Sequence, residues 1–117
     1  MGDFRDQLEN QKQSLLRFYD AFFQEIKITK LAPLSVSVGT TSVVILPANT
    51  QRKYAVLVND SDVAMYIAVG TISVINKGDR VNAAGGVWEM NYSNLMTGTI
   101  SAITTGANKI LCGSEGT

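Results

Sequence analysis

The sequence predicts a mainly β protein: an antiparallel β-sandwich or barrel-like domain preceded by one N-terminal amphipathic α-helix. Three observations carry this. Apolar residues before residue 30 recur at separations of three, four and seven, the pattern changes to period two after Pro33, and turn residues then punctuate short apolar runs with no helical pattern between them. At 117 residues the chain has room for one ordinary domain and an appendage. The expected division is a helical arm over residues 1–30 and a β-domain over residues 31–117.

The arm rests on Phe4, Leu8, Leu15, Tyr19, Phe22 and Ile26, which align along one helical face, with Leu16, Phe18 and Phe23 widening the stripe. Gly2 and Asp3 are candidate caps, and Pro33 restricts Ala32 and lacks an amide donor, so one helix is expected from about Asp3 to about Thr29. Polar Gln11 and Lys12 interrupt the stripe, and Phe is unusual in a regular coiled-coil seam, so the arm reads as a helix packing on something more than as a perfect zipper. The stripe covers either the core of its own domain or another chain. Pro33 sets the arm apart from a complete-looking set of strands, which favours the second. Phe4, Leu8, Leu15, Tyr19, Phe22, Phe23 and Ile26 are then the expected protein-interface residues.

Leu34-Ser35-Val36-Ser37-Val38 alternates as a strand with one buried face does. Further strands are expected at Val43 to Leu46, Tyr54 to Val58, Ala64 to Val69, Val87 to Tyr92, Thr99 to Ile103 and Lys109 to Cys112. Shorter candidates lie at Ile72 to Ile75 and Arg80 to Val81. The turns fall at Pro47-Ala48-Asn49, Asn59-Asp60-Ser61-Asp62, Asn76-Lys77-Gly78-Asp79, Ala84-Gly85-Gly86 and Gly106-Ala107-Asn108. The strands around Val56 and Ile67 are apolar on both faces, so a second cover is expected from the arm or from a neighbouring subunit.

Ten acidic and ten basic residues give a formal net charge of zero, and no stretch concentrates Lys and Arg. Nucleic acid is therefore not an expected partner. Nor is a membrane: residues 1–30 carry five acidic and five basic side chains instead of the basic excess of interfacial helices, and no apolar run spans a bilayer. The start, Met1-Gly2-Asp3-Phe4-Arg5-Asp6, alternates in charge where a signal peptide would turn apolar, so synthesis in a cytoplasm is expected.

The chain contains no histidine, which removes the commonest general base and metal ligand, and its one cysteine, Cys112, reads as a structural thiol in an apolar run. No enzymatic activity and no cofactor or metal are expected. Asp60 and Asp62 lack the further oxygens a calcium site needs, and Asp79 and Glu89 have no constellation to make them an acid/base pair. Trp88, Met90 and Tyr92 share a strand face by parity and, with Tyr66, would form a sugar-binding platform if exposed, although core or interface packing explains them equally. Arg52 at a strand entrance is expected to fork into loop carbonyls or a carboxylate such as Glu89, while Gly70, Gly78, Gly85 and Gly86 serve bends or positive-φ turns.

A longer pattern runs through the β-region. Leu46-Pro47-Ala48-Asn49, Arg52, Val56-Leu57-Val58-Asn59, Ser61, Met65-Tyr66-Ile67, Gly70, Gly78, Ala84-Gly85-Gly86, Trp88-Glu89, the run Thr97-Gly98-Thr99-Ile100-Ser101-Ala102-Ile103 and Glu115 follow one another in an order that resembles small β-domains of tailed-phage virion proteins, of the capsid decoration, head fibre and tail accessory type. The resemblance covers about residues 34–115 and leaves out the arm. It implies a β-sandwich that assembles as a homo-oligomer, often a trimer, and binds other virion proteins such as the major capsid protein. It implies a place in the virion after synthesis in the host cytoplasm. Arg52, Gly70, Gly85, Gly86 and Trp88 would have scaffold roles and no residue a catalytic one. The expected function is capsid decoration, cement or head-fibre base, with a neck or tail accessory protein or a carbohydrate-binding, adhesin-like module as alternatives.

Overall fold

The fold is given by a computed structural model that describes the backbone of residues 2–117 and the side chains of residues 3–21 and 27–117. One helix, α1 (Gly2–Ile26), precedes eight strands: β1 (Leu31–Val38), β2 (Val43–Leu46), β3 (Tyr54–Asn59), β4 (Met65–Val69), β5 (Asp79–Val81), β6 (Gly86–Met90), β7 (Ile100–Thr104) and β8 (Lys109–Gly116). The strands form two four-stranded antiparallel sheets, ordered β1-β8-β3-β6 and β2-β7-β4-β5. They stack as a sandwich and do not close into a barrel.

Alternation places the core. Val38, Ala55, Leu57, Met90 and Leu111 from the first sheet meet Ile45, Leu46, Met65, Ile67, Val81, Ile100 and Ala102 from the second, all essentially out of water. At the open edge between β5 and β6, the Trp88 indole packs on this core and donates Nε1–H to Asp79 Oδ2 at 2.8 Å, joining the outermost strands of the two sheets.

Several boundaries differ from the sequence expectation, β8 most among the strands, since it runs to Gly116 instead of ending at Cys112. The helix ends at Ile26, short of Thr29, and Pro33 lies inside β1 instead of marking its start. Strand β1 is paired on one side only, by β8, and an edge position tolerates a residue without an amide donor. Strand β6 stops at Met90 because Asn91 turns the chain: its Oδ1 accepts from Ser93 N at 2.9 Å and Ser93 Oγ at 2.6 Å.

Residues 72–75 do not form a strand. They cross the outside of the second sheet, where Ser73 N donates to Ser42 Oγ at 2.9 Å, Ser73 Oγ meets Ser101 Oγ at 3.0 Å, and Ser101 Oγ donates to Thr71 O at 2.7 Å. This crossing covers part of the outer face of the second sheet, where the Ser101 side chain of β7 is buried beneath it. The first sheet has no such cover. One row of its outer face is Ser35, Cys112, Val58 and Val87, small or apolar and uncharged, and the next, Pro33, Ser114, Val56 and Glu89, ends on a carboxylate.

Candidate assembly surface

The arm stands away from the sandwich. A 25-residue helix spans about 37 Å, and the whole molecule measures 75 × 22 × 20 Å. Every described residue of α1 is exposed, including the apolar stripe: Phe4 is 71 % and Phe18 65 % exposed, and Leu8, Leu15, Leu16 and Tyr19 are about half exposed. The rings of Phe18 and Tyr19 touch edge to face at 6.0 Å, a contact within the stripe itself. Phe22, Phe23 and Ile26 belong to the same helix, and their side chains lie outside the described residues.

The root of the arm is fastened to the sandwich by backbone groups and by one lysine side chain. Thr29 N donates to Thr117 O at 3.3 Å, Thr117 N donates to Lys30 O at 2.9 Å, and Lys53 Nζ donates to Lys27 O at 2.9 Å. Lys53 N in turn donates to Gly116 O at 2.8 Å, so the arm's root, the end of β8 and the start of β3 form one junction.

Arg52 braces that same end. It is 1 % exposed and spends its guanidinium on four acceptors: Nε donates to Glu115 Oε2 at 2.7 Å, Nη1 to Met96 O at 2.9 Å and Gly98 O at 2.8 Å, and Nη2 to Pro47 O at 2.9 Å. Asn49 completes the cage through Nδ2 to Glu115 Oε1 at 3.1 Å. The carboxylate is Glu115, a correction to the expected Glu89, which faces outward on β6 and accepts from Tyr54 Oη at 2.9 Å. That bond, then partial burial, then the nearby carboxylate charge hold the Tyr54 phenol above its ordinary pKa.

The turn glycines do mixed work. Gly70 and Gly85 adopt positive φ, of 79° and 100°. Gly86 is held by space, because a Cβ there would lie 2.2 Å from the Asn82 carbonyl oxygen. Sequence reasoning missed Gly113, in the middle of β8, where a Cβ would meet Val56 O at 1.9 Å. It also missed Asn59, fully buried on β3, whose amide donates to Val63 O at 2.8 Å and Val81 O at 3.0 Å. An Asn before a turn reads as exposed turn chemistry, so nothing local marked it as core.

The structure does not bring the proposed sugar platform together. Trp88 is half-buried and tied to Asp79, Tyr66 lies on the outside of the other sheet with its hydroxyl donating to Asn76 Oδ1 at 2.9 Å, and Tyr92 falls beyond the end of β6. Asp79 and Glu89 likewise serve different partners. Asp62 pairs with Lys109 at 2.6 Å, and that hydrogen bond holds its carboxyl below the ordinary value. Two grooves of about 260 Å³ flank the exposed Ile72, lined mainly by small and apolar side chains without converging charge. Among the described residues, no group of three His, Cys, Asp or Glu side chains is placed to hold a metal ion. Comparison with family models, curated proteins and solved structures finds no match to this chain.

Proposed function

We propose that the protein is a non-enzymatic structural component of a phage virion, of the capsid decoration, cement or head-fibre-base kind, acting by homo-oligomerisation and by binding other virion proteins such as the major capsid protein. The observation that carries the assembly reading is the arm: a helix with an aromatic and aliphatic stripe in water, rooted on a braced sandwich. Isolated helices gain most of their stability from packing an apolar face, so this one has its packing partner on another chain. The braced junction suits the task, because a rigid root fixes the direction in which the arm is offered. Repeated modest contacts across a lattice reinforce a shell without any chemistry. The virion setting is supported by the order of residues through the β-region that resembles tailed-phage virion domains. The test is the composition of purified particles from a host that carries the gene. The protein should be present in stoichiometric copies by quantitative mass spectrometry and should survive gradient purification with the shell. Its absence from the particles would overturn the virion reading.

A further inference from the structure

We infer that the arm pairs with the arms of other copies of this chain, forming a parallel, in-register coiled coil with Gln11 as its polar layer. The inference rests on the assembly reading and names the partner of its exposed stripe.

The spacing selects a helix as the occupant. Leu8 and Leu15 stand seven residues apart, and the sequence continues the series at Phe22; Phe4, Gln11 and Phe18 form a second series of sevens, offset by four. Those are the a and d positions of a heptad, and a strict seven-residue repeat keeps one seam turned toward a partner helix that supercoils with it. A globular groove would place no such demand on the period. The described members of both series are at least half exposed where they are apolar, and every side chain described on the helix, residues 3–21, is open to solvent.

Gln11 selects an identical helix in parallel. It occupies a d position in a seam whose other positions from Phe4 to Phe22 are apolar, with Glu25 at the next d position towards the helix end, and an unrelated apolar surface would strand its amide without a hydrogen-bond partner. In a parallel, in-register assembly each Gln11 meets Gln11 of the other copies at the same level, and each amide brings both donors and acceptors. An antiparallel pair sets d residues against a residues, so Gln11 would face leucine. A single polar residue in the seam is the usual device by which such helices fix their register.

Charge and area agree with self-pairing. Residues 1–30 hold five acidic and five basic side chains, so bundled arms have no net charge to overcome. With an aromatic side chain worth about 200 Å² when fully exposed, the described stripe from Phe4 to Tyr19 offers on the order of 600 Å² per arm. A stable specific interface takes about 800 Å² per partner, and the helix continues beyond Tyr19.

The test uses the full chain in three forms: wild type, Leu15→Glu, and Leu8→Cys combined with Cys112→Ser. Light scattering should give the wild type a mass that is a multiple of 12.6 kDa, and Leu15→Glu should fall to 12.6 kDa while its sandwich melts at the wild-type temperature. Under mild oxidation, the Leu8→Cys, Cys112→Ser protein should form a disulfide between copies, because only a parallel register brings the two position-8 side chains together. A wild-type oligomer that Leu15→Glu leaves intact would overturn the inference and place the contact on the sandwich, with the assembly reading untouched. An oligomer that Leu15→Glu dissolves but that gives no cross-link would overturn the parallel register. A wild-type monomer at all concentrations would overturn self-pairing outright, whereas particle composition decides the virion reading separately.

Discussion

Leu57, Met65, Ile67 and Ile100 are sealed inside the sandwich, while Phe4, Leu8, Leu15 and Phe18 of the arm lie open to solvent on a helix of the same chain. The sandwich residues owe their burial to partners far away in sequence, as when Leu57 is flanked by Trp88 on one side and Gly113 on the other. The arm residues have no counterpart in their own chain among the described residues. Polar groups divide in the same way: Arg52 is buried and bonded to four acceptors, whereas the charged residues described on α1 all face water. The difference teaches that the residues that hold the fold and those to which the proposal assigns association lie in separate parts of the molecule. A change in one should leave the other's readout alone.

The strongest challenge to that separation is Arg52→Ala. It strands the carboxylate of Glu115 and the carbonyls of Pro47, Met96 and Gly98 at the arm end of the sandwich, and breaking such a buried pair costs about 3–5 kcal/mol. Chemical denaturation should show that loss, while the helical signal of the arm persists in the native baseline. A midpoint equal to wild type would remove the brace from the account.

A far smaller effect is expected at Lys109. Its ammonium holds the exposed Asp62 carboxyl below the ordinary pKa of 3.8, so whatever the pair contributes is present above that pH and is lost as pH falls through the lowered folded value. Carboxyl NMR titration should find Asp62 titrating below its ordinary range, and Lys109→Met should move it back toward that range, the remainder being held by the backbone hydrogen bond at Asp62. An unchanged titration would show that the pair is not formed in solution.

The smallest expected effect is that of removing residues 1–26. All backbone bonds at the junction, from Thr29, Lys30 and Lys53, lie outside the deleted segment, so the remaining sandwich should melt within a degree or so of its temperature in the monomeric full chain. A fragment that aggregates or melts much earlier would mean that the arm covers the sandwich after all.

Much of the fold was legible because alternation and turn chemistry are local. Strand β2 has the bounds expected of it, and Arg80 to Val81 lies within β5. Residues 72–75 misled because an alternating apolar run looks the same whether its backbone pairs with a strand or is pinned by serine hydroxyls across the outside of a sheet. Arg52 stood out as a charged residue beside strand and turn, yet its true carboxylate lies 63 positions away at Glu115, and no local rule chooses that over Glu89. Exposure of the arm was legible only in part: the 3.6-residue period says that a face will be buried and is silent about where, and the separation at Pro33 from a complete-looking set of strands was what favoured another chain.

The position of β8 has a consequence in time. It follows every other strand in the chain, yet it lies inside its sheet, and β1 pairs with the rest of that sheet only through it. Val38 waits for Lys109 and Leu31 for Gly116, so β1 leaves the ribosome 71 to 85 residues before its partner. At about 5–20 residues per second that is a delay on the order of 4–17 seconds, while a helix such as the arm forms within about a microsecond. The nascent chain therefore presents, behind the arm segment, an unpaired eight-residue strand with Pro33 in its first half for much of its synthesis. Proline in that stretch interrupts the run of amide donors that a stray strand would need, and it guards the segment during the one period when nothing native is there to pair with it.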